Sequence, residues 1–104
     1  MKEIEILKSV LASNFHYSFY EDAILNIRSE INDIPHYREN WHDVIKFVLC
    51  RQFTEGEPLK IVQDDANLVL YDNTDEEAYR WLDLFLINVI NSKEVISYET
   101  KKII

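Results

Sequence analysis

The chain has 104 residues and a formal net charge of −8 at pH 7, and 47% of its residues are hydrophobic. This length predicts a single domain, residues 1–104, with enough apolar side chains for a folded core. The negative charge argues against nucleic acid and against an anionic membrane as partners, since both are negative themselves. The single cysteine excludes an internal disulfide.

The N-terminal segment does not have the pattern of a secretory signal. Glu3 and Glu5 interrupt the stretch that would have to be apolar. No apolar run approaches the roughly 20 residues that span a bilayer. The expected location is therefore the cytoplasm.

The first half of the chain contains three segments whose apolar residues recur at helical spacing. The predicted helices run from Lys2 to about Ser13, from Phe19 to about Asp33, and from about Tyr37 to about Phe53. The SFYE pattern at 18–21 is expected to act as a capping box for the second helix. Pro35 cannot continue that helix. Gly56, the only glycine, is expected to end the third helix in a left-handed conformation.

The second half predicts two more helices. Pro58 suits the first turn of a helix that we expect to reach about Leu70. The segment LVLY at 68–71 would also suit a short strand, but no second strand is predicted to pair with it. The TDEE pattern at 74–77 is a second capping box, in which Thr74 caps and Glu77 reaches back. The helix after it has little polar face, so it is expected to be enclosed on several sides until about Asn91.

The predicted fold is all-α, a single-domain bundle of about five helices with a short C-terminal tail. The tail, EVISYETKKII, is expected to be helical or extended. Such a fold agrees with the low number of glycines and prolines, which β-sandwiches and barrels use in many turns.

The sequence contains no pattern typical of an enzyme or of a metal site. His42 and Cys50 are eight residues apart, about 12 Å along a helix, so their side chains cannot meet. Cys50 is instead expected to be a small buried apolar side chain. The DNTDEE segment resembles a calcium loop, but it lacks the central glycine, and its twelfth position, Asp83, falls inside a predicted helix. We predict no catalytic residue, no metal and no cofactor.

Negative charge is concentrated between Glu57 and Asp83, where eight acids and two bases give −6 of the total −8. Acids at 75–77 favour the start of a helix, because they complement its dipole. Asp64, Asp65 and Asp72 have no such role and repel their neighbours. Tyrosines lie among these acids, and tyrosine is common at the centre of protein interfaces. The pattern favours docking of a basic protein, with a solvated acidic edge as the alternative.

The predicted partner-binding residues combine these acids and tyrosines, and they are Asp64, Asp65, Tyr71, Asp72, Asp75, Glu76 and Tyr79. Tyr37 is a weaker candidate, and Glu77 is assigned to capping.

The run GEPLKIVQDDANLVLYDNTDEEAYRWL, residues 56–82, in a small acidic helical chain resembles the immunity proteins of bacterial contact-dependent growth inhibition systems. It resembles bacteriocin immunity proteins more loosely. The likeness lies in size, charge and this stretch. It implies a cytoplasmic inhibitor that binds the C-terminal domain of a toxin, often a basic nuclease, and covers its active site or substrate-binding surface. The alternative is an acidic helical adaptor or regulatory module that docks another protein through apolar contacts.

Overall fold

A computed structural model shows the all-α bundle that the sequence predicts. It describes residues 2–16, 18–91 and 93–96, and within these ranges it contains no strand. The helices are α1 (Lys2–Phe15), α2 (Tyr20–Asp33), α3 (Pro35–Leu49), α4 (Glu57–Lys60) and α5 (Asp75–Ile90), and a π-helical turn (Ile61–Asp65) continues α4.

Helix α5 lies at the centre of the bundle and packs against α2, α3, α4 and the π-helical turn. The rings of Trp81 and Phe85 stack along it, with centroids 5.5 Å apart. Phe15 of α1 meets both rings at steep angles, at 5.3 and 5.8 Å. Aromatic pairs of this geometry add to the stabilisation from burial. The predicted enclosure of α5 is therefore confirmed, although Ile87 and Ile90 stay exposed on its outer side.

Helix α2 begins without the predicted capping box. Phe19 is the N-cap residue, and no side chain caps the helix there. Ser18 stands one position before the N-cap, so the prediction that its hydroxyl caps the helix is wrong. Packing positions the helix instead, because Ala23, Ile24 and Ile27 are all buried.

Helix α3 ends earlier than predicted, and a left-handed arginine follows its end. Arg51 is left-handed with φ 54°. Its N–H donates to the carbonyl of Val48, and the N–H of Gln52 donates to the carbonyl of Phe47, a pair of bonds that commonly closes a helix. Because α3 ends at Leu49 rather than near Phe53, the next residue, Cys50, is exposed. The prediction that this thiol is buried is wrong.

The side chain of Arg51 compensates for its backbone conformation. A left-handed residue with a Cβ costs roughly 1–2 kcal/mol. Both terminal nitrogens of Arg51 donate to the carboxylate of Asp83 at 2.8 Å. The guanidinium carbon also lies 4.2 Å from the centre of the Tyr79 ring. These contacts join the end of α3 to α5.

Gly56 serves the turn before α4 rather than the end of α3. Its φ is +83°, and it is the N-cap residue of α4. A Cβ built at this position would meet nothing within 4 Å. The glycine is therefore required by its backbone conformation, not by lack of space. Pro58 lies in the first turn of α4, as predicted.

The predicted helix from Pro58 to Leu70 is wrong after Asp65. Asn67 is left-handed with φ 57°, and the N–H of Leu68 reaches back to the carbonyl of Val62. Residues 66–74 then form neither helix nor strand. We call them the connecting loop. Within it, Leu70 is buried while Val69 is 86% exposed, so the apolar residues alternate instead of forming a helical stripe.

The segment 93–96 is attached to α5 by the buried side chain of Asn88. Its amide nitrogen donates to the hydroxyl of Tyr20 and to the carbonyl of Ile96, both at 2.8 Å. Its amide oxygen accepts from the N–H of Ile96, also at 2.8 Å. The start of the predicted tail is thus irregular, and residues 97–104 lie outside the described part of the chain.

Replacing Asn88 by alanine tests this attachment. We expect Asn88→Ala to lower the free energy of unfolding by about 2–4 kcal/mol, because three hydrogen bonds are lost and buried polar groups are left without partners. Tyr20→Phe is the matched control and should cost only about 1 kcal/mol, since it removes one of these bonds. Urea denaturation measures both. A loss for Asn88→Ala no larger than for Tyr20→Phe would contradict the assignment.

Candidate protein-binding site

Thr74 caps the start of α5, as predicted. The hydroxyl of Thr74 accepts a hydrogen bond from the N–H of Glu77 at 3.1 Å. The carboxylate of Glu77 accepts from the N–H of Asp72. Glu77 is only 3% exposed. It therefore fixes the connecting loop to the helix, a structural role that goes beyond capping.

Asp75 also turns inward. Its carboxylate accepts from the N–H of Gly56 at 2.7 Å and from the N–H of Leu59 at 3.1 Å. These amides lie at the N-terminus of α4, where backbone N–H groups lack partners within the helix. Asp75 thus joins α4 to α5, and both of its oxygens are already used.

Tyr79 lies one turn after Asp75 on the same side of α5. It is half-buried, with Arg51 over its ring and Phe53 at a centroid distance of 5.9 Å. Burial raises the pKa of its hydroxyl, partly offset by Arg51. Two of the predicted binding residues, Asp75 and Tyr79, are therefore engaged in contacts within the protein.

A second side of α5 presents its acids to solvent. Arg80 lies between Asp72 and Glu76, at 3.5 Å from the first carboxylate and 3.7 Å from the second. Their side chains are 55% and 85% exposed, and that of Arg80 is 55% exposed. Ion pairs this exposed contribute little to stability. These charges therefore remain accessible to a partner.

Asp64 and Asp65 end the π-helical turn close to α1. Desolvation raises the pKa of Asp65, opposed most strongly by Lys8. The ring nitrogen Nε2 of His16 lies 3.2 Å from the carbonyl oxygen of Asp64. Both carboxylates stand at the C-terminal end of a helical segment, where the helix dipole disfavours negative charge. Local stability therefore gives no reason for acids at these positions.

The connecting loop brings these groups into one region. Gln63 donates to the side chain of Asn73 at 3.0 Å, which joins the π-helical turn to the end of the loop. Between them, Val69 is 86% exposed and Tyr71 is 43% exposed. We define the acidic loop face as the exposed residues of this region, namely Asp64, Val69, Tyr71, Asp72 and Glu76.

Val69 was not among the residues predicted from sequence. Helical spacing placed it on the apolar side of a helix that the structure does not contain. The alternation within LVLY, with Leu70 inward and its neighbours outward, was the signal available. The side chain of Tyr37, the weaker candidate, lies outside the described residues.

Comparisons with known proteins give no match, since no family model matches the chain and no curated protein or solved structure matches it significantly. Within the described ranges, no group of three or more His, Cys, Asp or Glu side chains is placed to hold a metal ion. No helix in those ranges is long and apolar enough to cross a membrane.

Removing the carboxylate of Glu77 should loosen the connecting loop. We expect Glu77→Ala to cost about 1.5–3 kcal/mol, because a hydrogen bond to a charged acceptor is lost in a buried position. The amide of Asp72 should also exchange faster with solvent. Glu76→Ala is the matched control and should change stability by less than about 0.5 kcal/mol. Equal effects of the two substitutions, measured by urea denaturation and hydrogen exchange, would contradict the structural role of Glu77.

Asp65 should make stability depend on pH. Its pKa in the folded protein is raised above the ordinary value of 3.8, so ionisation of this carboxylate opposes folding. Asp65→Asn should therefore raise the melting temperature at pH 7. The gain should shrink as the pH falls through the folded pKa and disappear below the unfolded one. A lower melting temperature at pH 7 would show that the charge of Asp65 stabilises the fold.

Proposed function

We propose that this protein is an immunity protein that binds and neutralises a bacterial toxin domain through the acidic loop face. The observation that carries the proposal is the exposure of Val69 and Tyr71 in a loop flanked by exposed carboxylates. Charged groups steer a partner of opposite charge, and buried apolar and aromatic contacts then hold it. A basic protein surface is the partner that suits both features.

The acidic loop face is also held in place before a partner arrives. Glu77 fixes one end of the connecting loop, and the hydrogen bond between Gln63 and Asn73 joins that loop to the π-helical turn. A loop already fixed in one conformation loses less entropy on binding. The connecting loop can therefore act as a docking surface although it forms neither helix nor strand.

The distribution of acids supports a role outside folding. Asp75 and Glu77 accept hydrogen bonds from the backbone, so folding explains them. Asp64 instead lies exposed at the unfavourable end of a helical segment, and Asp72 makes a long, exposed ion pair with Arg80. Binding of a cationic partner accounts for these two.

The nature of the partner follows from the resemblance together with the charge. The toxin domain would be basic and a nuclease, whose substrate-binding surface attracts phosphates. Carboxylates of the acidic loop face would then occupy the positions of substrate phosphates and exclude nucleic acid. This mechanism needs no catalytic residue, metal or cofactor in the inhibitor, and it places inhibitor and toxin together in the cytoplasm of the protected cell.

A second candidate is an adaptor that docks another protein through apolar contacts. Ile87 and Ile90 on the outer side of α5 are 51% and 63% exposed, and Leu49 at the end of α3 is 60% exposed. Binding through these apolar side chains should depend little on salt.

Charge reversal on the acidic loop face separates the two candidates. The proposal predicts that a large secreted protein with a polymorphic C-terminal domain is encoded beside this chain. That domain, purified in a catalytically inactive form, is the partner to use. Asp64→Lys combined with Asp72→Lys should slow association by about tenfold or more and weaken its salt dependence. Glu21→Lys combined with Glu30→Lys makes the same charge change on exposed residues of α2 and should have a much smaller effect.

The apolar part of the face is tested by dissociation rates. Val69→Ser should accelerate dissociation, because it removes an apolar contact from the expected centre of the interface without changing its charge. Association rates that are the same for both double variants and insensitive to salt would contradict electrostatic binding through the acidic loop face. Faster dissociation after Ile87→Asp instead would favour the adaptor.

A further inference from the structure

A cavity of about 290 Å³ opens between α2, α3 and the C-terminal end of α5. Its walls combine apolar and cationic side chains, chiefly Ile31, Trp41, Ile45, Val89, Arg28 and Arg38. No Asp or Glu is among the described residues that line it. Two arginines and no acid are unusual surroundings in a chain with a net charge of −8.

Arg28 is only partly satisfied by the protein. Its Nε donates to the carbonyl of Asn88 at 2.8 Å. Its Nη2 is buried and has no hydrogen-bond partner. A guanidinium carries five N–H donors, and buried donors in folded proteins nearly always have acceptors. Arg28 therefore has donors to spare for an acceptor that the protein does not supply.

Arg38 holds a second guanidinium at the same cavity. Its Nη2 donates to the carbonyl of Asn32 at 3.1 Å, and its Nε lies 3.4 Å from the carbonyl of Ile31. These carbonyls end α2, just as the carbonyl bound by Arg28 lies near the end of α5. The negative ends of two helices are thus each paired with an arginine, which offsets the partial negative charge of each helix end and leaves the cavity with net positive charge.

We propose that this cavity binds a small organic carboxylate with an apolar body. The planar fork of an arginine matches a carboxylate in two-point hydrogen bonding, and Trp41 and the aliphatic side chains would enclose the apolar part. The volume is at the lower end of the range for small-molecule sites, so the ligand is small. Inorganic phosphate fits less well, because it has no apolar part to contact Trp41 and the aliphatic side chains.

This site is separate from the proposed toxin-binding surface. The acidic loop face lies at the N-terminal end of α5 and the cavity at its C-terminal end. The 16 residues of α5 span about 24 Å. The test of binding in the cavity is therefore independent of the test of the immunity function.

The test is a titration of the ¹⁵N-labelled protein with benzoate, followed by NMR. Benzoate should shift the indole N–H signal of Trp41 more than that of Trp81, which lies in the core. Benzamide has the same shape without the charge and should bind about tenfold more weakly or worse, since the charge-assisted hydrogen bonds are lost. Phosphate should cause smaller shifts than benzoate at equal concentration.

A matched pair of variants keeps the test independent of folding. Arg28 also supports α5, so its replacement would disturb the fold. Ile90 lines the cavity and is 63% exposed, so it tolerates polar replacement. Ile90→Glu should bind benzoate about tenfold or more weakly than Ile90→Gln, because the two variants are similar in size and only the first repels the carboxylate. Equal binding of benzoate and benzamide, equal affinity of the two variants, or no shift at Trp41 would overturn the proposal.

Discussion

The carboxylates of Asp75 and Glu77 turn inward at the start of α5, and the arrangement of the candidate site depends on them. Asp75 binds two amides before and within α4, and Glu77 binds an amide of the connecting loop. Both use negative charge where backbone N–H groups need acceptors and where the helix dipole favours it. These two acids attach α4 and the connecting loop to the start of α5. The other acids and the exposed residues of the connecting loop are therefore presented to solvent.

The central helix then separates two surfaces of opposite character. Its first turn borders the acidic loop face, in which the exposed Val69 and Tyr71 share the connecting loop with Asp72. Its last turns border a cavity with two arginines and apolar walls. Burial of Trp81 and Phe85 between these ends gives the helix a rigid core. The proposed docking surface and the proposed small-molecule site therefore lie at opposite ends of one helix.

Sequence reasoning predicted the long helices well, because their apolar residues repeat over three or more turns and dominate their packing. It failed where a single left-handed residue decides the path of the chain. Arg51 ends α3 with the help of Asp83 and Tyr79, contacts that no local pattern reveals, and Asn67 ends the helical segment before Leu70. The same limit applies to the candidate site. Tyr71 and three of the predicted acids are exposed, but the inward use of Asp75 and the exposure of Val69 depend on tertiary contacts.

The proposed contact between the acidic loop face and the partner can be located by a footprint of the complex. Amide hydrogen exchange of the protein would be compared with and without the inactive toxin domain. New protection should be strongest at residues 68–72 and at the end of the π-helical turn. Protection confined to the end of α3 and the outer side of α5, with the connecting loop exchanging as in the free protein, would contradict it.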